Sequence, residues 1–516
     1  MKLIVAATLL AAHALQTGSA QQGTPVSQIL PTPFNGQHVG LASYDLNGDG
    51  APDLLFASGR HWVDQSYALI NLGPKFNSAG DFVGINFSPA LPVGPAGGYY
   101  QIDAVPSSRI PPPSSKSSTT DENNNTTHHT MVLLVGGTCH DDTPTHYGSC
   151  KEFENTPARL LEVSVSGCSI HHPDTECKLE WELSWEDPNP KGDRNGGFAY
   201  FQNDRHPSIA LLGQEGVEIY SYPYHNVRWL IDMEDHEYNI PAPEKTDPRS
   251  DFSRYAGFAA TKSLLGGTIV AGRRTDYDPP QTDAEGNVKR INLLVYKDRK
   301  SKFESYFLPS TISGEPYPGN PSLSIQSTNF QFDDIDGDGV VDLLEATFLY
   351  TKQRVSGFPL PQRIHFLNED GHVNRTLVVH ESEDGDAGRS VTTGQIFSDS
   401  TLPDVVYASA RGIVTVFANL GVDESGRFLG LEQRYNFSAR NPNCQVRDVA
   451  VVPMVQGSIS ADECWIGIVS AVACPFEKPK PEYLGENEIF YVKGNCDENA
   501  HDYSMSRIGH ATAISR

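Results

Sequence analysis

Two stretches of the sequence place oxygen-bearing side chains at alternate positions. The stretch "DLNGDGAPD" starts at Asp45, the stretch "DIDGDGVVD" starts at Asp334, and each carries Asp or Asn at its positions 1, 3, 5 and 9. Glycine at positions 4 and 6 permits the positive φ angles of a sharp reversal. Carboxylates that converge in such a turn repel one another, so this spacing predicts the binding of a cation. We name the two stretches the first acidic loop (45–53) and the second acidic loop (334–342).

Calcium is the cation that suits these donors. It is a hard ion that takes about six to eight oxygen ligands at about 2.3–2.6 Å, backbone carbonyls among them. Side chains supply positions 1, 3, 5 and 9, and a backbone carbonyl is expected at position 7. The predicted ligands are Asp45, Asn47, Asp49, Ala51 and Asp53 in the first loop, and Asp334, Asp336, Asp338, Val340 and Asp342 in the second.

The alternative to a calcium loop between strands is an EF-hand. Residues Asp334 to Glu345 satisfy the pattern D-x-D-x-D-G-x5-E of that helix–loop–helix motif. However, the first loop has Phe56 where position 12 requires a carboxylate. The flanking sequences "FQFD" and "VVDLLEATF" also alternate or run aliphatic as strands do, and the two loops lie far apart in the chain. The residues therefore favour loops between strands.

The rest of the chain indicates many strands and tight turns. Short apolar runs such as "PDLLFAS", "MVLLVGG" and "PDVVYASA" are separated by Gly, Pro, Asn and Asp. They align into units in which an alternating strand, a polar turn and an aliphatic strand are followed by a strand that often ends in Asn, as at Asn71, Asn368 and Asn419. Seven such units start near residues 37, 98, 196, 253, 327, 392 and 445. A repeat of this length predicts an all-β, seven-bladed β-propeller built of four-stranded blades.

The two acidic loops also carry a family resemblance. The segments "VGLASYDLNGDGAPDLLFAS…ALINLG" and "TNFQFDDIDGDGVVDLLEATF…IHFLNEDG" resemble FG-GAP (VCBS-type) repeats, as in the propeller of integrin α subunits. The resemblance implies that each loop joins two strands of one blade and binds calcium structurally. Only two units keep the full motif, because "SDSTLPDVVYAS" retains Asp399 and Asp404 without the glycines, and "FQNDRHPSIALL" is weaker still. We therefore expect about two calcium ions.

The N-terminus predicts secretion. "MKLIVAATLLAAHALQTGSA" combines Lys2, an apolar run and a small-residue ending at Ala20, as a secretory signal peptide does. The alternative, a membrane anchor, requires a longer apolar run. We predict a signal peptide over 1–20, an N-terminal segment over 21–36 and a single propeller domain over 37–516. The Pro-, Ser- and Thr-rich stretch at about 105–130 is predicted to be a disordered insertion rather than a linker between two domains.

Cysteines and sequons suggest the same compartment. The eight cysteines form two clusters, Cys139, Cys150, Cys168 and Cys177, and Cys444, Cys464, Cys474 and Cys496. Disulfides are predicted, with three pairings open in each cluster. Zinc is the alternative, but no CxxC pair occurs. Sequons at Asn86, Asn124, Asn125, Asn374 and Asn436 predict glycans on exposed loops.

Charge and missing motifs narrow the function. The 64 acidic and 39 basic residues leave a formal charge of -25, which disfavours nucleic acid as a partner. No GxSxG, HExxH or phosphate-binding glycine loop occurs. The histidine-rich candidates are interpreted as incidental residues of disulfide-closed surface loops rather than as metal or catalytic sites. They are His140, Asp141, Asp142 and His146, and His171, His172 and Asp174.

Two further stretches bear on ligand binding. Trp181 and Trp185 lie near Glu182 and Glu186, and we expect them to pack between blades rather than to stack on sugars. The stretch "HWVD" (61–64) is a candidate contributor to a ligand site in a loop at one end of the ring.

Two functional classes follow from these features. One is a secreted binding or adhesion module for an extracellular glycan or protein ligand, with structural calcium and without membrane insertion. The other is a carbohydrate-active or phospholipase-like enzyme with its site on the propeller face, because seven units leave no residues for a separate catalytic domain. The binding module is favoured over the enzyme, and the sequence does not settle whether any catalytic activity exists. Fold alone does not choose between them, and the sequence does not specify an oligomeric state.

Overall fold

The computed structural model describes twenty-one ranges of the chain. They are residues 25–33, 40–57, 64–107, 128–136, 156–188, 195–200, 206–212, 216–224, 227–232, 255–260, 268–273, 289–297, 302–309, 323–351, 361–381, 388–409, 411–438, 440, 444–455, 464–473 and 486–494. Within them, no helix has the length and hydropathy needed to cross a membrane.

The described residues form thirty β-strands. Val, Ile, Leu and aromatic residues dominate the strands that are buried on both faces, such as those that start at Asp53, Ser208 and Asp404, and these residue types fill pleated, buried surfaces well. In chain order the strands are β1 (Val26–Ile29), β2 (Gly40–Tyr44), β3 (Asp53–Ala57), β4 (Asp64–Leu69), β5 (Asn71–Phe76), β6 (Phe82–Phe87), β7 (Leu91–Gly97), β8 (Tyr99–Pro106), β9 (His129–Gly136), β10 (Arg159–Ser166), β11 (Lys178–Glu186), β12 (Asn195–Ala199), β13 (Ser208–Leu212), β14 (Gly216–Tyr220), β15 (Val227–Asp232), β16 (Tyr255–Ala260), β17 (Thr268–Arg273), β18 (Lys289–Lys297), β19 (Lys302–Pro309), β20 (Leu323–Asp333), β21 (Asp342–Thr351), β22 (Pro361–Leu367), β23 (Val373–Glu381), β24 (Gly388–Gly394), β25 (Asp404–Ser409), β26 (Ile413–Asn419), β27 (Leu431–Ser438), β28 (Gln445–Val455), β29 (Cys464–Ala473) and β30 (Glu488–Gly494).

These strands form antiparallel sheets arranged in a ring. Seven sheets have four strands, in the orders β2-β3-β4-β7, β8-β9-β10-β11, β12 to β15, β16 to β19, β20 to β23, β24 to β27 and β28-β29-β30-β1, and β5 pairs with β6 alone. The first strand of each four-stranded sheet contacts the first strand of the next, and β28 returns to contact β2. The prediction of an all-β propeller with four-stranded blades is therefore confirmed. Six of these sheets have described side chains along their strands, and in the sheet β16–β19 only Ala259 and Ala260 do.

The ring is closed by the N-terminal strand. β1 pairs with β30 as the outer strand of the last sheet, with Val26 opposite Tyr491. This strand lies in the segment over 21–36 that the sequence analysis placed before the propeller domain. The side chain of Gln28 reinforces the closure, since it exchanges two hydrogen bonds with the backbone of Ile85 in the β5–β6 hairpin and accepts one from the Tyr491 hydroxyl.

The core lies between neighbouring sheets. One cluster joins the last two sheets, with Val406 and Val416 on one side and Ile468 on the other, and the rings of Phe437 and Phe490 stack there at 4.5 Å. Another joins the last sheet to the first, where Phe82 of the inserted hairpin stacks on Trp465 at 4.5 Å. Apolar burial stabilises by roughly 25 cal/mol per Å², and each blade obtains it only from its neighbours.

The tryptophan, cysteine and sequon predictions have mixed outcomes. Trp185 packs against Tyr220 and Tyr224, as predicted, whereas Trp181 is 38% exposed and the packing interpretation is wrong for it. Cys168 and Cys177 form a disulfide, and Cys444 and Cys464 are also disulfide-bonded. Three sequon asparagines are exposed, but they lie on strands rather than loops, namely Asn86 on β6, Asn374 on β23 and Asn436 on β27. Asn124, Asn125 and most of the predicted insertion (108–127) lie outside the described residues.

Candidate metal centre

Both acidic loops connect the first and second strands of a blade. The first loop lies between β2 and β3, and the second lies between β20 and β21. Because strands flank both loops, the EF-hand alternative is excluded. The four loop glycines, Gly48, Gly50, Gly337 and Gly339, have φ angles of 74°, 87°, 76° and 85°, a region that side-chain-bearing residues avoid.

Position 1 organises each loop in the same way. In the first loop, one oxygen of Asp45 accepts the N–H of Gly48 at 2.8 Å and the other accepts that of Gly50 at 2.9 Å. In the second, Asp334 accepts the N–H groups of Gly337 and Gly339 at 2.7 and 3.0 Å. The shared spacing in the sequence therefore produces one shared backbone conformation.

The second loop gathers three carboxylates. Asp334, Asp336 and Asp338 each place an oxygen within 4.8 Å of the others. Oδ1 of Asp336 is buried and has no hydrogen-bond partner among the described residues, while its Oδ2 accepts a hydrogen bond from Arg375 at 2.8 Å. Burial, together with the charges of Asp338 and Asp336, raises the pKa of Asp334. These carboxylates fit a cation that would neutralise them.

The first loop uses an amide where the second uses a carboxylate. Asn47 Nδ2 donates to Asp49 Oδ2 at 2.9 Å and to the carbonyl of Cys168 at 3.2 Å. The N–H of Ile170 donates to the same Asp49 oxygen at 2.9 Å. Burial raises the pKa of Asp45, with the charge of Asp49 adding to the shift. Positions 1, 3 and 5 of the first loop thus offer a cation two carboxylates and one amide oxygen as side-chain ligands.

Position 7 contributes an amide hydrogen to each loop. The N–H of Ala51 donates to Asp49 Oδ1 at 2.9 Å, and the N–H of Val340 donates to Asp338 Oδ1 at 2.8 Å. These bonds tie position 5 to position 7, and so hold the carboxylate on which a cation would rely.

The aspartate at position 9 has a role that the sequence analysis missed. Asp53 is fully buried, and its two oxygens accept the N–H groups of Leu46 at 2.8 Å and Asn71 at 2.7 Å. Asp342 accepts those of Ile335 and Leu367 at 3.0 and 3.2 Å, and burial raises its pKa to about 8. Asp53 therefore ties its acidic loop to the first residue of β5, just beyond the third ladder strand, and Asp342 ties its loop to the last residue of β22. Asp342 is not part of the group formed by Asp334, Asp336 and Asp338.

The degenerate unit shows that this corner bond does not need the loop. Asp404 accepts the N–H groups of Ile396 and Phe397, both at 2.7 Å, and of Asn419 at 2.8 Å. Its unit lacks the loop glycines, yet the aspartate is kept. That retention in "LPDVV" was the available sequence signal for a structural role.

Asparagines at the same corner connect neighbouring blades. Asn419 Nδ2 donates to the carbonyl of Ile335 in the preceding blade at 2.9 Å, and Asn71 Nδ2 donates to that of Met454 at 3.3 Å. Both side chains are fully buried. Asn368, which the sequence pattern grouped with them, is exposed and caps its own turn.

Among the remaining candidates, those that the structure describes do not join the metal centre. His171, His172 and Asp174 are exposed on the hairpin that the Cys168–Cys177 disulfide closes. The other candidates, His140, Asp141, Asp142, His146 and residues 61–63, lie outside the described residues. Arg375 was not singled out from the sequence. Its guanidinium lies 3.9 Å from the centre of the Phe366 ring while it pairs with Asp336.

Comparison with known proteins supplies similar structures at low identity. No protein-family model matches the chain, and no curated protein matches its sequence. The core factor of S. cerevisiae is 10% identical with a TM-score of 0.46, over 98% of this chain and 67% of that one. Sqt1 from Chaetomium thermophilum is 9% identical with a TM-score of 0.43, over 89% and 97%. The Dos1 propeller is 8% identical with a TM-score of 0.34, over 90% and 94%. Similarities of this size carry no argument about ligand, partner or activity.

Proposed function

We propose that this chain is a secreted, seven-bladed β-propeller of the FG-GAP or VCBS-like type that binds two structural calcium ions. The blade number is supported by the seven four-stranded sheets and by the contacts that run from β2 around the ring and back. Disulfide bonds at Cys168, Cys177, Cys444 and Cys464 suit an oxidising compartment outside the cytosol.

The grouped carboxylates of the second loop carry the calcium proposal. The buried Oδ1 of Asp336 faces desolvation without a described hydrogen bond, and a hard cation beside Asp334 and Asp338 would satisfy it. Bound calcium would supply the positive charge that holds these oxygens together.

The charge of both loops suits a divalent ion. The first loop has two carboxylates at positions 1, 3 and 5, Asp45 and Asp49. The second has three, and Arg375 pairs with one of them. If the position-9 aspartate is left aside because burial raises its pKa and so favours its neutral form, each loop presents about two uncompensated negative charges, which one calcium ion would neutralise.

Calcium titration of the purified protein tests this proposal. We expect two ions per chain by calorimetry, one ion in an Asp338→Ala variant, and two in the matched control Asp399→Ala, which alters the degenerate unit. EDTA should lower the melting temperature and calcium should restore it, since an ion present at about 100 times its Kd adds about 2.7 kcal/mol to the free energy of unfolding. An Asp338→Ala variant with two ions and an unchanged melting curve would contradict the ligand assignment.

We further propose that the propeller is a binding module for an extracellular glycan or protein. The supporting observation is Trp181, which is exposed on the outer strand β11 beside Glu182, where an indole can stack on a sugar ring. The enzyme alternative stays a prediction from the sequence.

A glycan array distinguishes these ligands. We expect the wild-type protein to bind a specific glycan and Trp181→Ala to lose about tenfold or more in affinity, because truncating a tryptophan that anchors an interface costs about 2 kcal/mol or more. Leu183→Ala, an exposed apolar residue on the same strand, is the matched control and should bind as wild type. Absence of any glycan signal would leave a protein as the ligand to search for.

A further inference from the structure

A disulfide-closed hairpin of the second blade lies against the first acidic loop. Cys168 and Cys177 follow β10 and precede β11, with Cα atoms 4.8 Å apart. The carbonyl of Cys168 accepts the hydrogen bond from Asn47 Nδ2, and the N–H of Ile170 donates to Asp49 Oδ2. Both contacts therefore come from three consecutive residues that begin at the disulfide.

These contacts fix the direction of an amide. An Asn side chain has one oxygen that can bind a cation and one nitrogen that cannot. Because Nδ2 of Asn47 is held by Cys168 and Asp49, its Oδ1 points into the loop, where it accepts the N–H of Asp49 at 3.2 Å. A reversed amide would present N–H groups to a cation and remove a ligand.

The second acidic loop needs no such device. Position 3 is Asp336, whose two oxygens are equivalent as ligands, and its outer oxygen pairs with Arg375 at 2.8 Å. The hairpin therefore accompanies the loop in which position 3 is an amide, and a salt bridge accompanies the loop in which it is a carboxylate.

The disulfide holds the hairpin in place. Cys168 is 4% exposed and belongs to the apolar cluster that contains Leu46 of the first acidic loop and Leu161 of β10. The bond closes a segment whose ends are nine residues apart in sequence. We expect its removal to loosen this segment and with it the contact between the Cys168 carbonyl and Asn47.

We infer that the Cys168–Cys177 hairpin is a positioning element for cation binding at the first acidic loop. It orients Asn47 so that calcium affinity at this loop, and not at the second, depends on the disulfide. This inference rests on the proposed calcium function. Removing a group that orients a metal ligand through a hydrogen bond typically lowers metal affinity by about 10–100-fold.

Calorimetry with one loop disabled at a time tests the inference. In an Asp338→Ala background, where only the first loop binds, we expect Cys168→Ser/Cys177→Ser to raise the calcium Kd about tenfold or more. In an Asp49→Ala background, where only the second loop binds, the same pair of substitutions should leave the Kd unchanged and thereby report that the propeller is folded. An unchanged Kd at the first loop would overturn the inference.

An Asn47→Asp variant separates orientation from general loosening. A carboxylate offers an oxygen in either direction, so with Asp at position 47 removal of the disulfide should no longer raise the Kd. If the Kd rises as much as it does with Asn47, the amide argument is wrong. Ile170→Pro keeps the disulfide but removes the N–H that donates to Asp49. This variant should also raise the calcium Kd at the first loop. If the Asp338→Ala protein binds no calcium at all, the proposed function of the first loop fails instead.

Discussion

Replacing Asp404 by alanine is expected to lower the free energy of unfolding by about 3–5 kcal/mol at neutral pH. Its carboxylate accepts the N–H groups of Ile396, Phe397 and Asn419, and all four residues lie in the core of the last two blades or at its edge. Each buried donor left without an acceptor costs about 1–3 kcal/mol. Release of the buried negative charge offsets part of this loss, which sets the lower end of the range.

Denaturant unfolding of the calcium-loaded protein measures this effect. Asp404 lies in the unit without a complete acidic loop, so its removal should leave the number of bound calcium ions unchanged. The matched control is Asp423→Ala in the same blade, because that carboxylate is exposed and caps its own turn through Ser425 and Arg427. Equal destabilisation by the two substitutions would show that the corner bond of Asp404 has no special weight.

Ionisation of Asp404 and Asp448 is expected to cost the calcium-free protein about 3–5 kcal/mol of stability as the pH rises from about 4 to about 7. Burial raises the pKa of Asp404 from 3.8 to about 6, against the opposing effect of its backbone N–H partners. Burial likewise raises the pKa of Asp448 to about 6. This carboxyl accepts hydrogen bonds from the N–H of Leu41 in the first blade and from the hydroxyl of Ser390 in the blade β24–β27.

The sign follows from which state binds more protons. Between pH 4 and pH 6 the folded protein holds protons on both carboxyls that the unfolded chain has released, so the stability that these two groups contribute is greatest below pH 4 and is lost as the pH rises through about 6. One pKa unit corresponds to about 1.4 kcal/mol, and partial exposure of Asp448 reduces its share. Unfolding curves in EDTA across this range measure the slope.

An Asp448→Asn variant identifies the source of that slope. Asn cannot titrate, so the variant should lose the share of the pH dependence that Asp448 supplies, about 1–3 kcal/mol between pH 4 and pH 7, whatever its absolute stability. A slope identical to that of the wild-type protein would mean that other groups dominate. In the calcium-loaded protein the second-loop carboxylates are expected to stay ionised. The pH dependence of stability measured with calcium should therefore still contain the contributions of Asp404 and Asp448.

Residues that act over short distances in the chain were predictable. The positive-φ glycines and the alternate oxygens of the acidic loops form their hydrogen bonds within one loop, as between Asp334 and Gly337. Alternation and turn residues likewise located the first strands of the sheets, since β8 begins at Tyr99 and β28 at Gln445, beside the predicted starts at 98 and 445. Periodicity reports these features because backbone geometry within a strand or turn is local.

The tertiary structure decided the roles that depend on a neighbouring blade. The sequence by itself determined that the chain consists of repeated units of strands and that two of these units carry an acidic loop. Only the folded ring brings β1 beside β30, places the Cys168 carbonyl against Asn47, and leaves Trp181 exposed while Trp185 is buried. The physical reason is that these partners are far apart in the chain, so their contacts depend on how blades pack and where the ring closes. The spacing of residues within one segment predicts neither the packing of blades nor the position of ring closure.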